Sequence, residues 1–144
     1  MSDLILNVSR TIKAPAKTIY NAWLDPKMLA KFIMPMEEMH IPKAETDPRV
    51  GGRFTIVMAT KDQQMPHSGE YKVLNPYSKI VFSWESPFSA PGSTVTLNLK
   101  EVNDGTEIEL IHVKFPDEET RSNHENGWSA ILACLEQTLG IAIQ

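Results

Sequence analysis

The sequence predicts an α+β fold in the order β-α-α-β-β-β-β-β-β-α, a seven-stranded antiparallel sheet closed by one long C-terminal helix. Three observations predict it. Between Gly52 and Val113 apolar residues recur at every second position, the period of a half-buried strand. Turn signals such as Asn75-Pro76 and Asn103-Asp104-Gly105 separate these runs closely, so consecutive strands should pair antiparallel. After Phe115-Pro116-Asp117 the period changes. Trp128, Ile131, Leu132, Leu135 and Leu139 fall on one helical face, and Ser122 precedes Glu125 at capping-box spacing.

Leu4, Leu6, Val8, Arg10 and Ile12 alternate with polar neighbours as a first strand, which Ala14-Pro15 stops. Pro15 suits the first turn of a short helix with Ile19, Tyr20, Trp23 and Leu24 on its apolar face. Asp25-Pro26 opens a second, with Asp25 as N-cap, Met28, Leu29 and Phe32 turned inward, and Pro35 at its end. A strand is expected between Met36 and Asp47, followed by a glycine turn through Gly51-Gly52. Phe54, Ile56 and Met58 form the next inward face. Lys61 to Pro66 reads as a hairpin loop, Tyr71 and Val73 as a strand, and Ile80, Phe82 and Trp84 as another. Ser86 to Gly92 is rich in breakers and holds one aromatic, Phe88. Val95, Leu97 and Leu99, then Ile108, Leu110 and His112, complete the sheet.

A chain of 144 residues is expected to form one domain, 1–144, that buries roughly two-thirds of its unfolded surface. The net charge of -4 and the absence of a Lys/Arg cluster exclude a nucleic-acid partner. No apolar run is long enough to make a membrane a partner. The start, Met1-Ser2-Asp3-Leu4, lacks the pattern of a signal peptide, and one cysteine, Cys134, allows no internal disulfide. A reducing cytoplasm is the expected location, with the protein a monomer or homodimer and Cys134 an inert buried thiol.

A sheet closed by one helix encloses a hollow, and the hollow is the functional signal. The candidate ligand-binding residues are Phe54, Ile56, Met58, Trp84, His112, Trp128 and Leu132, with Phe88 as a gate and Phe32 and Arg10 at the rim. His112 shares a strand face with Ile108 and Leu110. It is either a polar anchor for a ligand or a core histidine held by a backbone carbonyl. Arg10 either meets a ligand carboxylate or forms a structural ion pair with a rim glutamate such as Glu109 or Glu85. Met28, Met34, Met36, Met39 and Met58 suit a hydrophobic ligand of variable shape, or simply fill gaps beneath the short helices. His40, His67 and His124 are scattered without metal-site spacing, and His124 is expected at the surface. Glu37-Glu38 and Glu118-Glu119 read as solvated charges. No phosphate loop or nucleophile elbow occurs, so neither cofactor nor catalytic residue is assigned.

Five pieces occur in an order that resembles a known family. They are Ala14-Pro15, Asp25-Pro26, the run Arg49-Val50-Gly51-Gly52-Arg53-Phe54, Gly69 with Pro76, and Asp104-Gly105-Thr106 leading to His112 and Gly127-Trp128. Together, from about Val8 to Leu139, they resemble the START-like (SRPBCC, helix-grip) superfamily. Within it they are similar to the branch of the C-terminal domain of the activator of the 90-kDa heat-shock protein ATPase. The resemblance implies a Bet v-like sheet gripping the last helix around a hydrophobic cavity. It departs where the family usually carries tryptophan after the second short helix; here Phe32 stands, with Pro35 kept. The expected function is binding of a small apolar or amphipathic molecule. The resemblance also implies two alternatives, a chaperone-contacting module and a cavity enzyme of cyclase or hydrolase type.

Overall fold

A computed structural model describes residues 4–33, 39–86, 92–103 and 105–143, apart from the side chains of 140–143. The element order is β1 (Ile5–Ile12), α1 (Ala16–Leu24), α2 (Pro26–Phe32), β2 (His40–Thr46), β3 (Arg53–Ala59), β4 (Gln64–Asn75), β5 (Lys79–Ser83), β6 (Thr94–Val102), β7 (Gly105–Val113) and α3 (Glu118–Ile143). The strands form one antiparallel sheet in the order β1-β7-β6-β5-β4-β3-β2. This is the expected helix-grip arrangement. The two edges are held differently: α3 packs on β1, while α2 lies between β2 and α3. The helices thereby cover one face of the sheet from edge to edge.

Alternation decides which side chains meet them. Leu6 on β1, His112 on β7, Val95 on β6 and Phe82 on β5 are successive register partners and form one buried row. Gly69 on β4 faces Phe54 on β3, and a Cβ at Gly69 would meet the Phe54 ring and the Ser83 carbonyl. Glycine is required there because the aromatic ring crosses over its neighbour's backbone. From α3, Trp128, Ile131, Leu132, Leu135 and Leu139 are all buried against this face, as their spacing predicts.

Two boundaries differ from the sequence reading. α3 begins at Glu118 rather than near Ser122. Asp117 is its cap: its Oδ1 accepts from the Thr120 amide at 2.8 Å, and its carbonyl accepts from the Arg121 amide. Asp caps as well as Ser, so the earlier site wins, and Glu125 is bound by Arg121 instead of serving a capping box. β4 begins at Gln64, which shortens the expected Lys61–Pro66 loop; Met65 and Pro66 pair with Met58 and Val57. The described part of the strand expected between Met36 and Asp47 is His40–Thr46, an edge strand whose register shifts between His40 and Lys43, around Pro42. Met34, Pro35, Met36, Glu37, Glu38 and Phe88 lie outside the described residues.

Candidate functional site

The middle of the sheet–helix interior is filled. Phe54 packs edge-on against Phe82 at 5.3 Å and beside Tyr71 at 5.5 Å, and Trp23 packs edge-on against Phe32 at 5.0 Å. Trp23, Phe54, Tyr71 and Phe82, with Leu29, Ile33, Ile56 and Trp84, leave a void of only about 10 Å³, room for about one water.

The larger concavity lies to one side, between the first half of α3 and the end of the β3–β4 ladder, with a volume of about 520 Å³. Its floor is apolar and buried: Met58, Trp84, Trp128 and Ile131. His67, His124 and Thr120 supply polar walls, and Asn123, Asn126 and Gly127 lie along the helix rim. Helical spacing puts Thr120, His124, Trp128 and Ile131 on one face of α3. The Ile56↔His67 and Met58↔Met65 pairs set the opposite wall. None of the described lining residues is Asp, Glu, Lys or Arg. The nearby Arg121 is held by both Glu118 and Glu125 at 2.6 Å.

Polar chemistry in and behind the cleft follows from who can donate. Trp128 Nε1–H donates to His112 Nδ1 at 3.0 Å, so neutral His112 carries its proton on Nε2 and donates to Ser93 Oγ at 2.6 Å. His112 is fully enclosed, and burial, then neighbouring His124, pushes its pKa down to about 3. His67 Nδ1–H donates to the Met65 carbonyl at 3.0 Å, which leaves Nε2 as an acceptor. Burial pushes His67 down to about 4; the Met65 bond opposes this and His124 adds to it. His124 likewise donates from Nδ1 to the Thr120 carbonyl at 2.8 Å, with its ring edge-on to His112 at 5.3 Å. Trp84 stacks obliquely on His67 at 5.0 Å and on Trp128 at 4.9 Å. Its Nε1 is buried with no hydrogen-bond partner among the described residues, as is that of Trp23.

Ser93 beside His112 invites comparison with a hydroxyl nucleophile and its base. The Trp128 bond rules that assignment out in this arrangement. A base must present a bare nitrogen to the hydroxyl, and Nε2 already carries the proton. The chain Ser93–His112–Trp128 holds α3 on the sheet.

The sequence-selected residues therefore separate. Met58, Trp84 and Trp128 line the cleft, and Phe54 and Ile56 (with Trp84) line the small void. His112 stands behind Trp128, satisfied by two side chains rather than a backbone carbonyl, and Leu132 is packed in the core. Phe32 is enclosed rather than at a rim, with 0% exposure, because Trp23 covers it. Arg10 does face the helix side, yet it pairs with Glu136 of α3 at 2.6 Å and with neither Glu109 nor Glu85. Those two serve Asn7 and Asn98, and Arg53, respectively. Cys134 is half-buried, its thiol 3.5 Å from the Lys31 carbonyl. His67, His124, Thr120, Asn123, Asn126 and Ile131 are the cleft residues that sequence reasoning missed. Among the described residues, no cluster of three or more His, Cys, Asp or Glu could hold a metal, and no helix is long and apolar enough to cross a membrane.

Comparison with known proteins agrees with this architecture. The family described as Activator of Hsp90 ATPase homolog 1-like protein matches residues 13–140, and the chain belongs to it. Protein CV1439 from Chromobacterium violaceum is similar in structure, with 26% identity, a TM-score of 0.84 and coverage of 93% of this chain and 96% of that one. An AHSA1-like protein from Aeromonas hydrophila gives 21% identity and a TM-score of 0.81 over 96% and 94% of the two chains. A protein of unknown function from Staphylococcus aureus, SA2116, shares the fold at 14% identity, with a TM-score of 0.84 over 99% and 97%. No curated protein matches the chain.

Proposed function

We propose that the chain, acting as one cytoplasmic domain over residues 1–144, binds a small amphipathic molecule in the cleft between α3 and the β3–β4 ladder. One observation carries this reading. A concavity of about 520 Å³ has a buried apolar floor and polar walls, within the few-hundred to ~1,000 Å³ range of small-molecule sites. The reading moves the ligand away from the sheet centre, where about 10 Å³ cannot seat one. Micromolar affinity is the expected order once ordering costs offset the apolar burial.

The family description brings a second reading, contact with an Hsp90-type chaperone. It draws less support from the surface: among the described residues, the exposed large apolar ones, Ile5, Val50, Tyr77 and Val102, each sit on a different strand or turn.

Titration with the neutral fluorophore 1-N-phenylnaphthylamine tests the first reading. Saturable binding of one molecule per chain is expected, weakened at least tenfold by Asn123→Trp, which places a bulky side chain on the rim. Binding that is absent, or indifferent to that substitution, would remove the cleft as the site.

A further inference from the structure

Resting on that reading, we infer that the cleft selects an uncharged, flat molecule whose head donates hydrogen bonds, a primary carboxamide above all. His67 Nε2 and His124 Nε2 would read that head. Three observations lead there.

His67 supplies an acceptor. Its ring lines the cleft, 5.0 Å from the Trp84 ring, and its Nδ1–H is committed to the Met65 carbonyl. The other nitrogen therefore offers a lone pair, with no partner among the described residues. His124 repeats the pattern, since its Nδ1–H is committed to the Thr120 carbonyl. Two acceptors match the NH₂ of a carboxamide, which donates twice.

The described lining favours a neutral ligand. None of the described lining residues carries a formal charge, Arg121 is occupied by Glu118 and Glu125, and Arg53 is occupied by Glu85. A carboxylate would leave water without meeting a cation, and burying an unpaired ion is far costlier than burying an amide. Shape follows from the walls: the Trp84, Trp128 and His67 rings favour stacking against a planar partner.

The test is isothermal titration at pH 7.5 of 2-naphthamide, 2-naphthoate and 2-methylnaphthalene, three probes sharing one ring system. The amide is expected to bind at least tenfold more tightly than either of the others. His67→Phe should bring the amide-to-hydrocarbon ratio to within about threefold, losing a hydrogen bond of about 1 kcal/mol. If circular dichroism shows that variant unfolded, the wild-type series decides alone. Equal binding of all three, or preference for the naphthoate, overturns this inference and leaves cleft binding standing. Failure of all three to bind overturns both.

Discussion

Lowering the pH from 7 to 5 is expected to remove about 4 kcal/mol of folding stability, with His112 and His67 the cause. Both are buried neutral, with pKa values held down to about 3 and about 4, against roughly 6.5 in an unfolded chain. Between those limits the unfolded state binds more protons than the folded state, so stability rises with pH across the window. The contribution is fully present above about 6.5 and is lost as pH falls toward the folded values. At pH 5 each histidine accounts for about 2 kcal/mol, since one pKa unit is worth about 1.4 kcal/mol. Glu85 and Glu109, whose pKa values are lowered by hydrogen bonds chiefly from Arg53 and Asn7, add in the same direction only at lower pH. Urea unfolding at pH 7, 6 and 5 measures the effect, and a flat profile between 7 and 5 would contradict the buried neutral pair.

Replacing His112 by leucine is expected to cost about 3–4 kcal/mol, because it strands two buried groups at once. Trp128 Nε1–H loses its acceptor and Ser93 Oγ loses its donor, and neither reaches water. The side chains are of similar bulk, so lost volume is not the reason. Removing the stranded groups as well, in the triple variant His112→Leu, Ser93→Ala, Trp128→Phe, should recover part of the loss despite deleting more atoms. A buried polar network is costly when half-satisfied and nearly neutral when wholly replaced. Denaturant midpoints of the single and triple variants measure this. A single-variant cost under about 1 kcal/mol would mean that the network does not hold α3 to the sheet.

The elements were legible because alternation and helical spacing report burial directly. Trp128, Ile131, Leu132, Leu135 and Leu139 fell on one face by spacing and are buried on one face in the fold. Helix starts are less legible, since several residue types cap equally well, and Asp117 was available before Ser122. The lining of the cleft was legible only in part. His67 lay hidden because the expected loop through Pro66 cut it from Gly69 and Tyr71, with which it shares a strand face. His124 could have been found, four residues before Trp128 on the same helical face. The filling of the interior could not. Sequence names Phe54, Phe82, Tyr71 and Trp23 as inward-facing, but only their packing in space shows that they leave about 10 Å³. For the same reason the Trp84 nitrogen, unpartnered among the described residues, has no sequence signal.

The three tryptophans provide the most direct test, because each indole N–H reports a different place. Trp23 borders the small void, Trp84 borders both spaces, and Trp128 lies on the cleft floor with its N–H bound to His112. A ¹H–¹⁵N correlation spectrum of the indole region, recorded during titration with 1-N-phenylnaphthylamine, distinguishes the two locations. Binding in the cleft predicts that the Trp84 and Trp128 peaks move together with one saturation curve while Trp23 stays in place. Movement of Trp23 with Trp128 unmoved would place the ligand between the sheet centre and α2, and would contradict the account.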